Sequence, residues 1–188
     1  MKWLRHVAFV TIAAPVVLAA AAMAQENNGC SNATLKGAYS FTIHGEALGI
    51  FAGTPPTLQR SAFPTLVDGV AIMTFDGKGQ FTAVDFIMRN GASIIGPTTP
   101  VTPDGFRTGE TGTYAVSSDC TGALVVHPPD GSEIDEKFVL ANSGHEIRTV
   151  FNRQHVPQIA GNPDCTPPAG CDLAIQIQAN GVRVKGND

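Results

Sequence analysis

The stretch VDGVAIMTFDGKGQFTAVDFIMR, residues 67–89, decides how this chain is read. Two runs rich in apolar residues, 67–75 and 80–89, flank Asp76-Gly77-Lys78-Gly79. In an extended chain successive side chains point to opposite faces. Phe81, Ala83, Asp85, Ile87 and Arg89 therefore share one face, and Val84, Phe86 and Met88 take the other. Asp-Gly with a second glycine close behind supplies the positive-φ positions of a tight turn, so the stretch predicts a β-hairpin.

The same grammar extends in both directions. Residues 37–46 alternate Tyr39, Phe41 and Ile43 with Ser40, Thr42 and His44. Further short β-prone runs cover 109–117, 123–127, 137–141, 145–152 and 173–179, the last continuing through 182–184. Ser118 to Gly122, Asn142 to Gly144 and the Pro128-Pro129-Asp130-Gly131 stop separate them, proline being unable to donate to a ladder. After residue 24 no dozen-residue window keeps a helical apolar period free of Gly or Pro. About eight strands joined by short turns predict an all-β fold, an antiparallel up-and-down barrel whose closure removes exposed edges. A β-sandwich is the alternative with the same turn spacing. Residues 47–66 and 93–106, rich in Pro, Gly and Thr, read as long loops, where function concentrates.

The N-terminus carries an export signature. Lys2 and Arg5 precede an apolar stretch from Val7 to Met23, which ends in Ala22-Met23-Ala24 before the polar run Gln25-Glu26-Asn27-Asn28. That layout predicts a secretory signal peptide, residues 1–24, removed after Ala24. The stretch is shorter than the roughly 20 apolar residues of a membrane span. Residues 25–188 then form a single barrel domain of roughly 160 residues, enough for a real core. Losing Lys2 and Arg5 moves the formal charge from −4 to about −6. No basic stripe remains, which argues against nucleic acid as a partner. The four cysteines, Cys30, Cys120, Cys165 and Cys171, read as two disulfides in an exported chain, with three pairings open. Cys165–Cys171 across Thr-Pro-Pro-Ala-Gly and Cys30–Cys120 are favoured. The first closes a small loop, and the second ties the N-terminus to a mid-chain turn. A secreted or periplasmic location follows.

The segment from Cys30 through Leu35, Gly37, Tyr39 and Phe41 resembles the start of a broad group of exported bacterial proteins of mostly unassigned function. Gly112-Thr-Tyr-Ala-Val116, Ser118-Asp-Cys-Thr-Gly122, Phe138-Val-Leu140 and Glu146-Ile-Arg148 also look similar to theirs. The resemblance implies an eight-stranded barrel of the calycin or the allene oxide cyclase and dirigent type, with an interior cavity. It supplies no catalytic residue.

Several side chains are candidates for a ligand site. If the Phe81 face points into the barrel, Asp85 and Arg89 do too, and a lumenal carboxylate with a raised pKa could act on a ligand. The plainer account pairs Asp85 with Arg89 or a neighbouring strand. Glu146 and Arg148 share a face opposite Ile147, Thr149 and Phe151. There Arg148 could anchor an anionic head group with its fixed fork of donors, or the two could simply pair across strands with Glu136 or Lys137. Tyr39 and Phe41 supply aromatic wall on the first strand. Asp135-Glu136 reads as a solvated pair in a polar turn. His44, His127, His145 and His155 are dispersed and the cysteine spacing fits no zinc site, so no metal is expected, nor any cofactor. A Gly-x-Ser-x-Gly elbow and a phosphate loop are both missing. The sequence thus suggests an exported barrel binding a small apolar or amphipathic molecule. A cyclase- or isomerase-type enzyme using Asp85 or Glu146, or a structural or adhesive envelope protein, are the alternatives.

Overall fold

The computed structural model describes residues 29–96 and 99–184, so the expected signal peptide lies outside the described residues. The strands are β1 (Lys36–Ala52), β2 (Thr57–Asp76), β3 (Gln80–Arg89), β4 (Ala92–Ser93), β5 (Arg107–Val116), β6 (Thr121–His127), β7 (Glu133–Ala141), β8 (Glu146–Val156) and β9 (Cys171–Arg183). Each long strand pairs antiparallel with the next, and β9 returns to pair with β1. The result is one closed eight-stranded ring rather than two facing sheets, with β4 a two-residue addition beside β3. This is the up-and-down meander that the turn spacing predicts.

The turn at Asp76 shows why. Its carboxylate Oδ1 accepts the backbone N–H groups of Lys78, Gly79 and Gln80 at 2.6, 3.0 and 3.0 Å, and Gly77 takes φ +79°. Those bonds hold Asp76 below the usual carboxylate range. Phe75 and Phe81 meet in register as the hairpin leaves the turn.

The two ends of the ring differ. At the end holding this turn, Tyr39, Phe75, Phe81, Tyr114, Leu124 and Phe138 pack into a solid plug. Phe75 meets the Tyr39 and Tyr114 rings edge-on, at centroid distances of 5.4 and 5.1 Å. The rings need room: a Cβ at Gly112 or Gly122 would collide with Phe81 or Phe138. The N-terminal segment caps the plug. Tyr114 Oη donates to the Leu35 carbonyl at 2.9 Å, and Tyr39 Oη donates to that of Gly144 while accepting from Arg183. Cys30 is bonded to Cys120 in the β5–β6 turn at this end. At the opposite end Cys165–Cys171 ties the segment before β9, packed with Ile50, Ala52 and Val156. Both bonds are the favoured pairings.

Two expectations need correction. Residues 47–66 are not a loop: β1 and β2 run on as a hairpin arm, pairing Gly49 with Arg60 through Ala52 with Thr57. The ladder is interrupted at residues 61–64, and Pro64 falls in that unpaired stretch, as proline in a strand must. The arm shows no apolar alternation because most of its β2 side chains are exposed. Second, β7 begins at Glu133, so Asp135-Glu136 lies in a strand rather than a solvated turn. Glu133 and Asp135 bond Arg153 of β8 on the outer wall, at 2.7 and 3.3 Å, and Glu136 turns inward. The last strand does continue past Asn180-Gly181, β9 running unbroken to Arg183. Residues 94–96 and 99–106 are loop apart from an isolated bridge between Val101 and Arg107. Among the described residues no helix is long and apolar enough to cross a membrane.

Candidate functional site: a polar cavity at one end of the ring

Beyond the aromatic plug the inward-facing residues become smaller and polar. Alternation carries Ala83, Asp85 and Ile87 inward from β3, Glu136 from β7, and Thr149 from β8. All but Thr149 line a cavity of about 70 Å³ whose apolar wall includes Ile43, Ala71, Met73 and Phe151. One water needs about 10–15 Å³ of such space, so the cavity has room for several waters or a small head group.

Arg107 and Glu110 enter the cavity together, although a strict two-residue period would set residues three apart on opposite faces. The β3–β5 register shifts between Ala83 and Asp85, and Gly109 takes φ +84°, so both side chains turn inward. Arg107 donates through Nε to Asp85 Oδ1 at 2.9 Å and through Nη2 to Asp85 Oδ2 at 2.6 Å. The same Nη2 donates to Glu110 Oε1 at 2.5 Å, and Asp130 stands 3.9 Å from Nη1. A bidentate guanidinium–carboxylate pair fixes orientation as well as charge. Burial, with the neighbouring Asp85 charge, pushes Glu110 up to about 7 against the pull of Arg107.

Glu136 is different. Its Oε2 accepts the Thr149 hydroxyl at 2.5 Å, and no cation bonds it among the described residues. Burial pushes it up to about 7, with the Thr149 hydrogen bond opposing. Among the described residues every fully buried side-chain nitrogen or oxygen has a partner. The other oxygen of Glu136 and the Gln154 amide bond nothing among the described residues; both residues line the cavity, and Gln154 lines the cleft beside it as well.

Arg89 stands at the boundary of this cavity. Among the described residues it bonds no carboxylate; burial lowers its pKa, while the nearby Asp130 charge opposes that. Together with Val67, Gln154 and Ile177 it also lines a wider cleft of about 490 Å³ at the same end of the ring. The cleft lies between the β1–β2 arm and the segment after β8, with Ile50, Val156, Ile159 and Leu173 on its walls.

Of the side chains singled out in the sequence, Asp85 and Arg89 come together at the cavity, though Asp85 bonds Arg107 rather than Arg89. Tyr39 and Phe41 belong to the filled part of the core, not the cavity lining. Glu146 and Arg148 lie on the outer wall, bonded to each other at 3.3 Å, with the Arg148 side chain 65% exposed. Arg107, Glu110, Glu136 and Gln154 escaped the sequence reading. Glu136 was within reach, since it is two residues from both Ile134 and Phe138. Nothing in the spacing of Arg107 and Glu110 announces the register shift.

No protein-family profile matches the chain, and no curated protein sequence does. Among solved structures, the chain is similar to an S-type phycobiliprotein lyase from Guillardia theta, at 9% identity and a TM-score of 0.44, over 86% of this chain and 97% of that one.

Proposed function

We propose that this is an exported small-molecule binder, holding an apolar or amphipathic ligand at the polar end of the ring. One observation carries the reading: the lumen is solid at one end, while at the other a small cavity, with buried charged groups set in an apolar wall, adjoins a larger cleft whose walls mix apolar side chains with polar ones, Arg60 and Arg89 among them. That arrangement suits a molecule with a compact polar head and an apolar body. The two disulfides fit an oxidising compartment, and the leader pattern of residues 1–24 supports export. The test is native mass spectrometry and solvent extraction of the protein recovered after export. A stoichiometric small molecule is expected, with a mature N-terminus at Gln25. Recovery of only empty protein, with no melting shift from any member of an amphiphile library, would overturn the reading.

A second reading, an enzyme of the isomerase or cyclase kind, draws on Glu136 and Glu110, two carboxyls pushed up to about 7 beside the cavity. Carboxyls tuned in this way can exchange protons at neutral pH. Turnover of an added substrate that Glu136→Gln abolishes while binding persists would favour this reading.

A further inference from the structure

We propose that the head group taken into the lumen is an organic ammonium, seated on the open oxygen of Glu136 and the Gln154 amide with its apolar body in the adjoining cleft. This rests on the ligand-binding reading above and names the chemistry of the same site. Glu136 is 94% buried by its relative exposure of 6%, and Gln154 is buried to a similar degree at 5%. Each presents unpartnered polar atoms to the cavity. A buried carboxyl with no cationic partner is costly when ionised, and a cation brought to it offsets that cost.

The charge around the lumen points the same way. Asp85 and Glu110 share Arg107, and Asp130 stands near both Arg107 and Arg89. Counting Glu136, four carboxyls from β3, β5, β7 and the β6–β7 turn line the cavity with two guanidiniums, an excess of negative charge that develops as Glu110 and Glu136 ionise near 7. The group bonded to Glu136 is the neutral Thr149 of β8, and the neutral Gln154 of the same strand lines the cavity with it. A monocation at Glu136 reduces this excess of negative charge; a carboxylate there would add to it. The cavity's 70 Å³ suits an ammonium and a short stem, and the cleft of 490 Å³ takes the rest. An anionic head group would instead be drawn to Arg89, at the boundary of the two spaces.

The experiment uses octylammonium, octanoate and octanol, titrated calorimetrically into the mature protein at about pH 6.5, between the ordinary and shifted pKa of Glu136. Octylammonium should bind best and drive Glu136 to ionise, releasing protons that are counted by comparing buffers of different ionisation enthalpy. Glu136→Gln should weaken octylammonium at least tenfold and remove the Glu136 contribution to proton release, whereas Arg89→Gln should leave octylammonium unchanged or tighter. Melting curves confirm that each variant folds. Preferential octanoate binding lost in Arg89→Gln, or octylammonium binding no tighter than octanol and untouched by Glu136→Gln, would overturn the ammonium assignment and leave the binding reading standing. If none of the three binds wild type, the ammonium assignment falls, and the extraction and library screen decide the binding reading separately.

Discussion

Arg107 holds two acids at once, and its loss would be felt by both. Removing one partner of a buried ion pair leaves an uncompensated charge and costs about 3–5 kcal/mol. Arg107→Ala should therefore lower the urea stability of the protein by about that amount at neutral pH. Arg107→Lys should recover only part, because an ammonium cannot reproduce the two-pronged contact with Asp85. Glu136 gives a prediction of opposite character. It ionises near 4.5 in an ordinary setting and near 7 in the fold, so the folded state holds an extra proton between those values. Its contribution to stability is full below pH 4.5 and is lost as pH rises through about 7, roughly 3 kcal/mol in all. Denaturation at a series of pH values should show that decline, and Glu136→Gln should remove the share of Glu136 while leaving that of Glu110. The sequence made Asp85 conspicuous as a charge inside an apolar run. It concealed Glu136 because the neighbouring Glu133 and Asp135 made the whole stretch look wet. Those two face outward to Arg153, and only the strand's alternation separates them from Glu136.

Elements were legible where a turn and an alternation agreed. The hairpin through Asp76 combined both, and β3 has the bounds read from sequence. The β1–β2 arm had neither: its prolines and exposed side chains resemble a loop, and pairing with β9 on its other side holds it as strand. Local sequence cannot report a neighbour that lies more than a hundred residues away. Among the predictions at this scale, Gly112→Val should cost about 1–3 kcal/mol by forcing atoms into the Phe81 ring, read as a lower denaturation midpoint. Replacing Cys30 and Cys120 together by serine frees a loop of about 90 residues and should cost roughly 4–5 kcal/mol, against roughly 2 for Cys165 with Cys171.

At the scale of the whole molecule, every seam of the ring but one joins strands that follow each other along the main meander. The exception joins β1 to β9. Ending the chain after Gly170 would remove β9 and expose unpaired edges on both β1 and β8. Such edges recruit other chains, so size-exclusion chromatography of that truncation should show oligomers or aggregate in place of monomer. A ribosome makes the N-terminus first, and most of these seams can zip as their strands emerge. The last cannot: the first strand must wait, one flank bare, until the final thirteen-residue strand has been made. For the length of its own synthesis this protein is an unfinished hoop, and whatever escorts the nascent chain has one particular strand to keep covered.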